Sequence, residues 1–281
     1  MENRNRRLGL LLIIALGITG LSGCNGSDKE GGSEKQKLTI TGASTIAPLI
    51  LEIAKRYESL HPGVRIDVQT GGSSRGIRDA LEGLADIGMA SRNLKPEDGA
   101  LQVFPLAFDG ICVIVHKDNP ITELSHEQVR GIYQGNITNW SEVGGLDRSI
   151  VVVNKAEGRS TLELFLAFYG MKNTDIKAHV IIGDNEQGVK TVLGNPDAIG
   201  YVSIGTAEYN REAGAELKLL PADGVPALRA HVADGTFPLS RSLNLVTARE
   251  PEGLAKAFLA FATSAAVHDL VEELYFVPIN E

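Results

Sequence analysis

Apolar positions along the chain follow two periods in turn. Short runs in which apolar residues alternate or cluster predict strands: "KLTITG", "VRIDVQT", "DIGMASR", "IVVVNK", "HVIIG" and "AIGYVSI". Between them apolar residues recur at helical spacing. This predicts helices over "TIAPLILEIAKRYESLHPG", "SRGIRDALEGLA" and residues 125–134, 160–170, 184–194 and 251–274. Pro62-Gly63 ends the first helix. A long apolar stretch, "FPLAFDGICVIVHKDNP", predicts an extended strand region broken at Asp118-Asn119-Pro120, and "GTFPLSRSLNLVT" leads to the terminal helix. Repeated strand–loop–helix units predict an α/β fold with mostly parallel sheets and ligands outside the carboxyl ends of the strands.

The N-terminal residues break this pattern. Arg4, Arg6 and Arg7 precede an uncharged apolar run, Leu8 to Leu21, that is shorter than the ~20 residues of a membrane span. It ends in Leu21-Ser22-Gly23-Cys24, so residues 1–23 read as a secretory signal. The ending resembles a bacterial lipobox, which implies a lipid on Cys24 and a place in the periplasm or on the outer face of the cell membrane. Residues 25–37, "NGSDKEGGSEKQK", are small, polar and charged; with Cys24 they make 24–37 a flexible tether.

Composition narrows the function. Without residues 1–23 the formal charge moves from −8 to about −10, and the absence of a basic run argues against nucleic acid as a partner. A small anion is still admissible, because local dipoles and one or two cations decide its binding. With Cys24 lipidated, Cys112 in "GICVIVH" is left unpaired and reads as a buried strand residue. The six His are scattered without metal-ligand spacing, so no metal site is expected. About 258 residues suit two α/β lobes better than one.

Four strand-to-helix loops carry hydroxyls: "TGAST" (41–45), "TGGSS" (70–74), "MASRN" (89–93) and "KAEGRST" (155–161). Gly72-Ser73-Ser74-Arg75-Gly76 also fits G-x-S-x-G, the nucleophile elbow of serine hydrolases, which would make Ser74 a nucleophile. That chemistry needs a His at a strand's carboxyl end. His116 falls in a strand, His126 and His268 on helices, and His179 and His231 near strand starts. A single hydroxyl before a helix is usually an N-cap, and Ser160-Thr161-Leu162-Glu163 has the spacing of a capping box. Four such loops, the last with Lys155 and Arg159, suit a desolvated oxyanion better.

"TGASTIAP", "TGGSSRGIRDAL", "ADIGMASRNL" and "KAEGRSTLELF", in this order behind a lipobox, resemble the phosphate-binding component of bacterial Pst-type ABC transporters. "NPDAIGYVSIG" and "FPLSRSLNLV" are similar to its later segments, so the resemblance covers nearly all of residues 38–281. It implies a two-lobed type II periplasmic-binding-protein fold, with hinge strands and a cleft that closes on inorganic phosphate. Lobe one would be residues 38–113 plus 238–281, and lobe two residues 114–237. It further implies a monomeric, cofactor-free carrier that serves a membrane permease and is not an enzyme.

Carried over motif by motif, the resemblance makes Ser44, Thr45, Ser73, Ser91, Lys155, Arg159, Ser160 and Thr161 the phosphate-binding residues. Two positions depart from the family pattern. Ser91 stands where better-known members have an Asp that accepts the proton of phosphate and repels sulfate. Lys155 stands at the family's Arg, with Arg159 added nearby, either as a ligand or paired with Glu157. Ser91 therefore keeps open another tetrahedral oxyanion: sulfate, molybdate, tungstate or a phosphonate. Arg75 and Arg92 are weaker candidates expected to be solvated, Asp86 and Asp109 are expected to cap backbone, and Trp140 to pack.

Overall fold

The computed structural model describes residues 36–279; the signal, Cys24 and all of the tether before Gln36 lie outside that range. Strand β1 (Gln36–Gly42) takes in residues 36 and 37, the last two assigned to the tether. The chain continues through α1 (Ala47–Leu60), β2 (Val64–Thr70), α2 (Ser73–Leu81), β3 (Ile87–Ala90) and β4 (Gln102–His116). After α3 (His126–Tyr133) come β5 (Val151–Lys155), α4 (Ser160–Phe168), β6 (Val180–Ile182) and α5 (Asn185–Leu193). Then follow β7 (Ala198–Ser203), α6 (Ile204–Glu212), β8 (Leu217–Leu219), α7 (Arg229–Ala233) and β9 (Ser240–Thr247). The chain closes with α8 (Gly253–Ala262), α9 (His268–Glu273) and β10 (Val277–Pro278).

The sheet order is β2-β1-β3-β9-β4-β7-β5-β6, with β8 and β10 pairing to β4. Strands β2, β1 and β3 are parallel, as are β7, β5 and β6; antiparallel β9 and β4 join the two sets. β4 is one unbroken strand shared by two cores. Residues 102–110 pair with β9, and residues 111–115 pair with β7. One core gathers Leu38, Ile40, Leu49, Ile53, Leu243 and Phe258, the other Ile114, Trp140, Phe165, Val192 and Tyr201. Each is an apolar sheet face roofed by helix stripes, the two-layer solution that amphipathic elements dictate. Within the second, Phe165 and Tyr201 stack at 3.8 Å between ring centroids, and Trp140 packs as expected, its Nε1 donating to the Asp197 carbonyl at 3.0 Å.

Two sequence expectations change. The terminal helix is broken between Ala262 and His268, where the Ser264 hydroxyl caps a short 3-10 turn instead of continuing the helix. His231 lies in helix α7 and not at a strand start, because "RAHVA" packs against β4 beside "GTFPLS".

The glycines of "GGSSRG" are explained by close approach. A Cβ at Gly76 would sit 2.7 Å from the Gly42 Cα and the Thr41 carbonyl oxygen, so its absence seats α2 directly on β1. Gly72 has φ +95°, and a Cβ there would meet the Gly158 carbonyl oxygen of the facing lobe at 2.4 Å. The G-x-S-x-G spacing therefore serves backbone packing and the meeting of two lobes.

Candidate functional site

Helix α1 starts after Ile46, α2 after Gly72 and α4 after Arg159, and none of these N-caps supplies a side-chain hydrogen bond. The hydroxyls of Ser73 and Ser160 stand one residue inside their helices, where they cannot cap. The usual role of a hydroxyl before a helix is thus set aside at these loops. At α1 the Ala47 N–H is taken by the Ala43 carbonyl at 3.2 Å and at α2 the Ser74 N–H by the Gly158 carbonyl at 3.4 Å, while the opening amides of Ser73, Ser160 and Thr161 sit at the positive ends of α2 and α4. The expected capping box at Ser160–Glu163 does not form, since Ser160 is itself helical and the Glu163 carboxylate points across the cleft to Ser74, Arg92 and Lys95.

The hydroxyls of the four loops meet. Ser91 N–H donates to Ser73 Oγ at 3.0 Å, and Ser91 Oγ lies 2.5 Å from Ser160 Oγ on the other lobe. A second chain runs beside it. Asn185 Nδ2 donates to Thr45 Oγ1 at 3.3 Å, while Arg241 reaches Thr161 Oγ1 from Nη1 at 3.0 Å and Thr45 Oγ1 from Nη2 at 3.5 Å. Thr45, Ser73, Ser91, Ser160 and Thr161 are all buried. Ser44 is half-buried next to Thr45 and makes none of these bonds.

Three cations surround this hydroxyl cluster. Lys155, at the end of β5, is 3% exposed, and its Nζ donates to Asn185 Oδ1 at 2.8 Å. Burial, reinforced by the charges of Arg241 and Arg159, pulls its pKa down to about 7. Arg159 lies against the Gly72 and Gly183 backbones; its buried Nε has no hydrogen-bond partner among the described residues. Its expected alternative partner, Glu157, instead accepts from Asn173 Nδ2 at 2.8 Å. Arg241 is anchored by Asp109, which also accepts from Ser203 Oγ at 2.8 Å and Gly205 N–H at 3.3 Å. Donors thus outnumber acceptors in this buried cluster, which is electrostatically arranged for an oxyanion.

The weaker candidates fall outside this cluster. Arg75 pairs with Asp79 at 3.0 Å, and Asp86 accepts from Thr39 N–H at 2.7 Å. Arg92 is buried, not solvated, because Asp98 takes both of its terminal nitrogens. Ser74 Oγ donates to Glu163 Oε1 at 3.2 Å and has no His among its hydrogen-bond partners in the described residues, so the Ser–His pair of a serine hydrolase is not formed there.

Arg241 and Asn185 were missed by sequence reasoning. The signal for Arg241 was a cation inside the apolar strand "SRSLNLVT" and an anion inside "LAFDGICV", two charges that burial obliges to pair. Asn185 opens α5 after β6 on the same kind of strand-to-helix loop, but it carries a carboxamide where hydroxyls were sought.

The PBP superfamily domain matches residues 27–266. A phosphate-binding protein PstS from Bacillus subtilis is 29% identical over 97% of this chain and 91% of its own length. A solved structure of a putative phosphate ABC transporter substrate-binding protein from Clostridium perfringens, with bound phosphate, shares 32% identity and a TM-score of 0.80. It covers 87% of this chain and 100% of that one. An ABC-type phosphate transport receptor from Vibrio cholerae aligns with TM-score 0.72 and 31% identity over 85% of this chain and 99% of its own. On these findings the chain belongs to the PBP superfamily and, within it, to the Pst-type phosphate-binding proteins of ABC transporters.

Proposed function

We propose that this chain captures inorganic phosphate between its lobes and delivers it to an ABC permease, while a lipid on Cys24 holds it outside the cytoplasm. The observation that carries the reading is the meeting of hydroxyls from both lobes, Ser73 and Ser91 with Ser160, and Thr45 with Thr161 through Arg241. The proposed cradle is Ser44, Thr45, Ser73, Ser91, Lys155, Arg159, Ser160 and Thr161, with Arg241 added as a third cation. The hydroxyls and first-turn amides donate to phosphate oxygens, and the cations balance its charge. Both lobes contribute donors, so the anion shifts the open–closed population toward the closed form. The chemistry is recognition and release, with no bond made or broken.

The test is calorimetric titration of the lipid-free protein with phosphate, with and without excess sulfate. Saturable binding with one phosphate per chain, undiminished by sulfate, is the expected result. Preference for sulfate or molybdate would reject phosphate as the cargo.

A further inference from the structure

Glu163 is an anion at the edge of a site built for an anion, so it cannot serve by touching the cargo. It stands one residue past the first three positions of α4, on lobe two, yet its three polar partners are all on lobe one. Oε1 accepts from Ser74 Oγ at 3.2 Å, and Oε2 accepts from Lys95 Nζ at 2.6 Å. Oε2 also lies 3.1 Å from Arg92 Nε; the contact is an ion pair, since Nε is turned off the line of a hydrogen bond.

The receiving side is prebuilt within lobe one. Asp98 holds the Arg92 guanidinium through Nη1 at 2.5 Å and Nη2 at 2.9 Å and takes the Lys95 N–H at 2.7 Å. Burial disfavours the Arg92 charge, but the Asp98 hydrogen bonds and the field of Glu163 outweigh it and raise the pKa. Arg92 and Lys95 both face Glu163, while Asp98 holds the far side of the Arg92 guanidinium and Glu97 adds to its field. Beside them Ser74 N–H meets the Gly158 carbonyl at 3.4 Å, so backbone contact lines the same rim. The Glu163 and Gly158 contacts all run between the lobes, and none of them involves a side chain of the proposed cradle.

We propose that Glu163 is a positioning residue for cargo retention: by pairing with Ser74, Lys95 and Arg92 it holds the lobes shut and sets the phosphate release rate. This rests on the phosphate reading above. It also divides the work of "GGSSRG", with Ser73 facing the cradle and Ser74 facing the latch.

The experiment measures phosphate association and release by stopped flow for wild type, Glu163→Gln, Lys95→Met and the double variant. Release from Glu163→Gln should be roughly tenfold faster, with association changed less than about twofold, because the contact forms after encounter. Raising salt from about 50 to about 500 mM should speed wild-type release and leave Glu163→Gln unaffected. The double variant should release no faster than Glu163→Gln by more than about twofold, showing that the two residues act through one contact. Lys95→Met, on an exposed loop, carries the test should Glu163→Gln not fold. Wild-type release rates and salt response in both single variants would overturn the proposal. Fast release with an unchanged salt response would overturn it too, as it indicates general loosening of α4. A wild-type protein that binds no phosphate would instead sink the phosphate reading, and this inference with it.

Discussion

Asp109 and Arg241 are register partners on adjacent antiparallel strands, and their side chains close a buried ion pair at 2.6 and 2.9 Å, each 1% exposed. The pair fixes the guanidinium so that its remaining bonds reach Thr161 on one lobe and Thr45 on the other. Removing one partner of such a pair strands the other charge, at a typical cost of about 3–5 kcal/mol. Asp109→Ala should lower the unfolding free energy from urea titration by an amount in that range, with a matching fall in the midpoint. Saturating phosphate should restore part of the loss, because its charge compensates Arg241. An unchanged midpoint would mean that water reaches the pair.

Lys155 makes binding a proton-linked event. Its pKa, near 7 in the protein before phosphate arrives, rises beside an anion, so binding takes up a proton at a pH where the amine is otherwise neutral. At about pH 8.5 phosphate itself is already a dianion, and calorimetry in two buffers of different ionisation heat should show uptake of up to about one proton per phosphate. Lys155→Met should abolish that uptake and weaken binding. The same burial works against stability. The unfolded lysine titrates near 10.5, so the penalty is complete below about pH 7 and fades as pH climbs from 7 towards 10.5. Lys155→Met should therefore raise the thermal midpoint at neutral pH, and a lowered midpoint would contradict this account.

Gly72→Ala places a methyl against the Gly158 carbonyl oxygen and adds left-handed backbone strain at φ +95°. Closure is the step it obstructs. Phosphate affinity should fall at least tenfold, and the scattering radius should stay that of an open cleft at saturating phosphate. Tight binding by this variant would show that the lobes do not approach here during capture.

Ser91→Asp puts a carboxylate where the Ser91 hydroxyl meets Ser160 of the other lobe. A carboxylate there accepts the proton of a protonated phosphate and repels an ion that has none to give. Competition by sulfate should drop by about tenfold or more relative to wild type, while phosphate binding shifts towards lower pH. Equal sulfate competition in both proteins would place residue 91 outside the selectivity of the site.

Much of the fold was legible because burial imposes periodicity: β1, β2, β5 and β7 and helices α1 to α5 fall where apolar spacing put them. The loops of the candidate site were legible too, as hydroxyls after strands. Side-chain direction was not. Ser160-x-x-Glu163 has capping spacing, yet one residue's shift in helix start turns the glutamate outward to a partner 68 residues away. Arg92 looked solvated because Asp98, which buries it, is a local partner only once the loop has folded back. Arg241 was hidden for a different reason, since its role depends on a strand pairing that brings residue 109 opposite residue 241.

The uncapped starts of α1, α2 and α4 at the candidate site also carry a thermodynamic consequence. A single anion seated between Thr45, Ser73 and Ser160 would act as the shared N-cap of α1, α2 and α4. Their first turns would then stiffen together, and amide hydrogen exchange at their opening residues would slow in concert as the cargo is taken up. Local order in this protein is in that sense borrowed from the ion it carries, and it is returned at the moment of release.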